Sequence, residues 1–149
     1  MEFPKIDETK LPVVKEIIKE INHFVVDEDC DEKSPEVKKL AQKLQEVTGK
    51  KELSVEPFMY YSSYTTLDDA ATKALLPIPQ KSGLSDEEIR DLIGKIARAE
   101  IIYLHGEAMN DYFLDVLKLE TGLDNLIDYI WDLDASIEEI IERVIADKK

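Results

Sequence analysis

Two prolines and a glycine fall within eight residues, Leu76-Pro77-Ile78-Pro79-Gln80-Lys81-Ser82-Gly83, between stretches whose apolar residues recur every three or four positions. Proline removes a backbone donor and clashes with the preceding helical turn, so a regular helix does not cross such a segment. The break predicts two parts, a helical region over residues 1–80 and a second helical module over residues 83–149. The expected class is all-α. A chain of 149 residues is long enough to bury a core without disulfide staples, and its single cysteine, Cys30, cannot form an internal one.

In the first part, residues 1–11 read as an extended lead-in. Pro12 suits a first helical turn, where its missing N–H costs nothing. Val14, Ile17, Ile18, Ile21 and Phe24 then follow at helical spacing, to about Val26. Ser34-Pro35-Glu36 predicts a second helix, with Ser34 as cap, a Val37/Leu40/Ala41/Leu44/Val47 stripe and Gly49 as its stop. Phe58, Tyr60, Tyr61 and Tyr64 form an aromatic cluster whose local structure, short helix or strand, the spacing leaves open. Thr66-Leu67-Asp68-Asp69 resembles a capping box and predicts a helix over Leu67–Leu76.

In the second part, Ser85-Asp86-Glu87-Glu88 is a full capping box ahead of Ile89, Leu92, Ile93 and Ile96. The periodicity weakens from Ile101 to Gly106, which predicts a loop there. A further helix is expected over Glu107–Glu120, stopped by Thr121-Gly122. Leu126–Leu133 reads as a short aromatic turn, and Ser136 caps a last helix through Ile137, Ile140, Ile141 and Val144.

Acidic residues number 33 against 19 basic ones, for a net charge of −14. Direct nucleic-acid binding needs a Lys/Arg footprint that this chain lacks, and anionic membranes are disfavoured on the same ground. A basic protein partner is favoured instead. The charge is uneven: residues 83–149 hold 17 acidic and 7 basic residues, so −10 of the −14 lies there and −4 in the first 82 residues. There is no apolar run near the roughly 20 residues of a membrane span, and no basic-then-apolar leader at Met1-Glu2-Phe3-Pro4-Lys5. These features place the expected site of action in the cytoplasm.

No catalytic set emerges. Asp27, Asp29 and Asp31 have the spacing that opens a calcium loop, but Glu32 stands where glycine is needed and Lys38 where a bidentate glutamate belongs. His23 borders the apolar stripe of the first helix, and His105 lies in the predicted loop. Cys30 sits in an acidic loop that disfavours its thiolate. Neither Cys-x-x-Cys, a paired-histidine spacing nor a phosphate-cradling glycine loop appears, so no metal, no cofactor and no enzymatic activity is expected. On the helix after Gly106, Phe113, Leu114 and Leu117 mark a buried side. Glu107, Asp111, Asp115 and Lys118 share another face. Asp128, Tyr129, Trp131 and Asp132 set aromatics beside carboxylates in one turn, a composition that suits either core closure or a binding hot spot.

The second part resembles the immunity proteins of nuclease bacteriocins such as the E-type colicins, over about residues 85–147. Glu87-Glu88-Ile89-Arg90-Asp91-Leu92-Ile93-Gly94-Lys95-Ile96-Ala97-Arg98-Ala99-Glu100 resembles the family's first helix. Glu107–Thr121 resembles the acidic second helix, and residues 136–147 the last. Asp128-Tyr129-Ile130-Trp131 resembles the Asp-Leu-Ile-Tyr-Tyr-Pro turn, with Asp132 in place of the second tyrosine and Leu133 in place of the proline. The loop before Glu107 is longer than the family's and the loop before Ser136 shorter. Residues 1–82 have no counterpart.

The resemblance implies a small four-helix bundle and a protein that binds and blocks a basic nuclease toxin domain. It implies a specificity face of Asn110, Asp111, Leu114, Asp115 and Lys118, and an anchor of Asp128 and Trp131, flanked by Tyr129 and Asp132. Two other readings remain open on the residues alone. One is a helical adaptor or regulatory protein using the Phe58–Tyr64 cluster. The other is an enzyme of unrecognised type using His23 and Cys30.

Overall fold

The computed structural model describes residues 3–149. Among them every regular element is helical. Contacts divide the chain into two compact units, Pro4–Pro77 and Ile78–Lys149, and Phe3 belongs to the second.

In the Pro4–Pro77 unit the lead-in is not wholly extended. Asp7 accepts from the Thr9 N–H at 3.0 Å and caps a 3-10 turn over Glu8–Lys10. That turn runs into α1, Leu11–Val26. The other helices are α2 (Pro35–Thr48), α3 (Glu56–Met59) and α4 (Leu67–Leu75). α1 is the hub, packed against each of them. Its Val14, Ile17, Ile18, Ile21 and Val25 face Val37, Leu40 and Leu44 of α2, Phe58 of α3, and Ala70, Ala71 and Ala74 of α4 in one core. Val25 fills the inward place expected of Phe24, which is only partly buried. The alanine stripe of α4 lets two helix backbones approach closely, because small side chains set interaxial distance.

Local chemistry fixes the connections. Gly49 takes the left-handed conformation, φ 73°, that ends α2. The Asn22 amide donates to the Met59 carbonyl at 3.0 Å and ties α1 to the end of α3. The aromatic cluster resolves into α3 and a 3-10 turn over Tyr61–Ser63, with Phe58 in the core and Tyr60 and Tyr64 exposed. Thr66 accepts from the Asp69 N–H at 3.1 Å, as its spacing predicts. α4 stops at Leu75 rather than Leu76, because Leu76 precedes a proline and is extended (φ −63°, ψ 146°). One cap differs from expectation: the Ser34 hydroxyl does not close α2 but accepts from the Asp31 N–H at 3.0 Å, so it serves the preceding turn.

In the other unit the helices are α5 (Asp86–Ala97), α6 (Glu100–His105), α7 (Glu107–Thr121), α8 (Leu126–Ile130) and α9 (Ile137–Asp147). α5 packs on α6, α7 and α9, and α8 lies against α7 and α9. Both expected capping boxes are formed, Ser85 with Glu88 and Ser136 with Glu139. The core gathers Ile89, Leu92, Ile93 and Ile96 with Phe113, Leu117, Leu126, Ile130, Ile140 and Val144.

The loop expected from Ile101 to Gly106 is instead α6, so the unit holds one helical segment more than the four the resemblance implies. The breaks fall on either side of it, at Ala99 (φ 59°) and Gly106 (φ 91°). The periodicity fails there for a physical reason. Ile101 is buried, while Ile102, Tyr103 and Leu104 are exposed, so the apolar residues of α6 do not sort onto one inner face.

Phe3 completes this core from far away in the sequence. Its ring lies 4.7 Å from that of Phe113 and 4.5 Å from that of His105, centroid to centroid. Phe3→Ala is expected to destabilise the Ile78–Lys149 unit by about 1.5 kcal/mol, the low end for burying an aromatic ring. Denaturant unfolding followed by circular dichroism checks this. An unchanged midpoint would show the ring contributes nothing.

Candidate functional site

α7 and α8 carry the residues expected at a binding surface, and their burial separates them. α7 starts at Glu107 after the turn at Gly106 and ends at Gly122, φ 70°. Its inward face is wider than the apolar spacing suggests: Ala108, Asn110, Phe113, Leu114, Val116, Leu117, Glu120 and Thr121 are all buried.

Two of the expected contact residues therefore need correction. Leu114 is part of the core cluster, and Asn110 is only 7% exposed. Both side chains are turned into this unit. Both follow from the turn of the helix: Asn110, Phe113, Leu114 and Leu117 are spaced i, i+3, i+4, i+7 and must share one face. Asp115 stays exposed, and Asp111 and Lys118 are half-buried, with the Lys118 ammonium 4.0 Å from Asp115.

Asn110 also carries a cost, since its Oδ1 is buried with no hydrogen-bond partner. An unsatisfied buried acceptor costs about 1–3 kcal/mol, whereas an apolar group of the same shape costs none of it. Asn110→Leu should thus leave stability unchanged or raise it by about 1 kcal/mol. Thermal melting of the variant tests this, and a marked loss would mean that the amide is satisfied in solution.

α8 and the residues after it are the opposite case. Leu126 and Ile130 anchor α8 in the core, which turns Ile127, Asp128 and Trp131 outward. Trp131 is 59% exposed and Leu133 is 96% exposed. Tyr129 packs partly against the core, and its hydroxyl donates to Asp147 at 2.8 Å. That bond, with burial adding to it, holds the phenol above its ordinary pKa. Asp132 accepts from the Asp134 N–H at 3.0 Å and from the Arg143 guanidinium at 2.6 Å, which together hold its carboxyl below the usual range. The turn is thus braced from α9 by Arg143 and Asp147, and Trp131 projects from a fixed base beside Asp128.

Residues that spacing did not single out join this surface or extend the unit's exposed apolar area. Ile127 and Leu133 flank Trp131 in sequence and are exposed; on α6, Tyr103 is 88% exposed and Leu104 is also exposed. The only available signal was composition, since an apolar residue inside a short segment gives no period to read.

One charged group lies on the inner side. Glu120, 6% exposed, accepts from the backbone N–H groups of Ser82 at 2.6 Å, Gly83 at 3.2 Å and Leu84 at 3.1 Å, and from the Ser82 hydroxyl at 3.3 Å. Burial alone would push its pKa up, but the donors together outweigh it and hold the carboxyl below the usual value. The segment after the prolines is thereby fastened to α7.

The candidates for catalysis are placed apart from any such arrangement. The His23 imidazole, about half exposed, contacts Asp27 at 2.8 Å and Glu28 at 3.6 Å. The Cys30 N–H donates to the Phe24 carbonyl at 2.9 Å, and its side chain is partly buried against the core of the Pro4–Pro77 unit. His105 is exposed beside Phe3. Of the three loop aspartates, Asp27 faces His23 and Asp31 accepts from the Lys33 N–H at 2.8 Å. Among the described residues no group of three or more His, Cys, Asp or Glu is arranged to hold a metal ion, and no helix is long and apolar enough to cross a membrane. Compared with known protein families, curated proteins and solved structures, the chain matches none.

Proposed function

We propose that the Ile78–Lys149 unit is an immunity-type inhibitor that binds a basic nuclease toxin domain and blocks its access to nucleic acid, acting in the cytoplasm. The supporting observation is Trp131, the chain's single tryptophan, 59% exposed on a braced turn beside the exposed Asp128. Tryptophan is enriched among the residues that carry most of an interface's binding energy, and here exposed Ile127 and Leu133 lie near it in sequence. The unit's acidity supplies the second half of the reading. An acidic inhibitor seated beside a nucleic-acid cleft repels phosphates as well as obstructing them, and its approach to a basic domain is steered.

The contact surface in this reading comprises Trp131, Asp128, Asp115, Asp111 and Lys118, with Tyr129 and Asp132 positioning the turn. Calorimetry of the full chain against a panel of bacteriocin nuclease domains, paired with a DNA- and RNA-cleavage assay, tests it. Binding that leaves cleavage intact, or no binding across the panel, would count against the reading. Raising salt from low to physiological levels should slow association strongly while changing dissociation little, as steered encounters do.

A further inference from the structure

α1 and α2 leave a groove between them, within the Pro4–Pro77 unit, of 530 Å³. Its floor is apolar. Val13 and Ile17 of α1 and Val47 of α2 line it, and Val13 is 50% exposed. Its rim is acidic: Glu16 and Glu20 stand along α1 and Glu46 along α2, with Lys43 as the one cation. All four charged side chains are exposed, and none has a hydrogen-bond or ion-pair partner among the described residues.

The pattern is ordered by helix geometry. Val13, Glu16, Ile17 and Glu20 are spaced i, i+3, i+4, i+7, and Lys43, Glu46 and Val47 repeat the same step on α2. α1 therefore presents an apolar line bordered by two carboxylates, and α2 faces it with Val47, Glu46 and Lys43. Unpaired like charges at that spacing are mildly unfavourable in the free protein, and an opposite charge laid across them relieves the repulsion. Elsewhere on α1, Lys15 is already held by Asp68, so it does not neutralise the rim.

We propose that this groove docks an amphipathic helix of a protein partner, with apolar side chains entering between Val13, Ile17 and Val47 and Lys or Arg side chains meeting Glu16, Glu20 and Glu46. Helix-in-groove recognition uses apolar anchors at the same i, i+3, i+4, i+7 spacing that the groove offers. The charge of the rim selects the sign of the occupant, and the floor selects its apolar face. The surface lies in a different unit from Trp131 and stands independently of the nuclease-inhibitor reading.

The probe is a fluorescein-labelled peptide of leucine and lysine at helical spacing, with a leucine–glutamate twin of equal hydrophobicity, titrated into the full chain by polarisation. Because the chain is acidic throughout, two charge-matched triple variants are compared. Glu16→Gln/Glu20→Gln/Glu46→Gln removes the rim, and Asp29→Asn/Glu32→Gln/Glu52→Gln removes three exposed carboxylates of the same unit away from it. The rim variant is expected to bind the lysine peptide about tenfold more weakly, and the control variant to stay within about twofold of the parent chain. Val13→Asp, at a half-exposed position, should abolish binding while circular dichroism stays unchanged. Equal losses in the two triples would mean diffuse attraction and overturn the proposal. Equal binding of the glutamate twin would do the same, as would self-association abolished by Val13→Asp, which would make the occupant a second copy of the chain.

Discussion

Glu120→Ala lowers the stability of the Ile78–Lys149 unit by about 1.5–3 kcal/mol at neutral pH, the range for hydrogen bonds to an ionised group. The carboxylate takes four donations from Ser82, Gly83 and Leu84, and truncation frees all of them at once. The loss depends on pH in a definite direction. The folded pKa of Glu120 lies below its ordinary value of 4.5, so the stabilisation is fully present above that value and disappears as pH falls through the lower, folded pKa. The difference between parent and variant should therefore be largest at pH 7 and shrink steadily below about pH 4.5. Urea unfolding at pH 7, 5 and 3 measures it. Comparing the two proteins removes the acid sensitivity that Asp7, Asp132 and Glu142 share, since their carboxyls are also held low and are present in both. A difference that stays constant with pH would mean that the charge on Glu120 is irrelevant to the bonds it accepts.

The second large effect is on binding. Trp131→Ala should weaken the complex with a nuclease domain by about 2 kcal/mol or more, and Asp128→Ala by a similar amount if the two act as one hot spot. Folding stability should hardly move, because Trp131 is largely in water already and Asp128 is exposed. That separation identifies a contact residue: affinity falls while the melting temperature stays. A drop in both would make Trp131 a structural residue, and unchanged affinity in both variants would remove the turn from the interface. Asp115→Ala, farther along α7, should mainly slow association, as rim charges do.

Where the sequence spoke through local chemistry, it was readable. The two capping boxes, Pro12 and Pro35 in first turns, and the left-handed glycines at 49 and 122 each act within a few residues, and each lies where its spacing put it. What stayed illegible depends on partners distant in the chain. Glu120 looks like one more solvated acid until Ser82, Gly83 and Leu84 are brought against it. The resemblance puts Leu114 and Asn110 on a surface, although the apolar stripe through Phe113 and Leu117 places Leu114 inside. For Asn110 the same stripe gave the answer, and its polarity concealed it. α6 gives no signal in the sequence because a six-residue helix with exposed Ile102, Tyr103 and Leu104 has no amphipathic period. Its composition suits Trp131 to core or contact alike, and only the inward turn of Leu126 and Ile130 decides that it faces water.

Phe3 gives the chain an order of assembly. Its ring belongs to the unit whose remaining residues begin at Ile78, so the whole of Pro4–Pro77 is spliced into that unit between its first piece and its second. During synthesis the spliced unit emerges complete and is free to fold at once, while Phe3 waits for Phe113. Folding of the insert replaces a long flexible loop by a compact body, which reduces the chain entropy lost when the ends of the discontinuous unit meet. The surface that bears Trp131 thus belongs to the unit whose two pieces are both present only after Pro4–Pro77 has been synthesised.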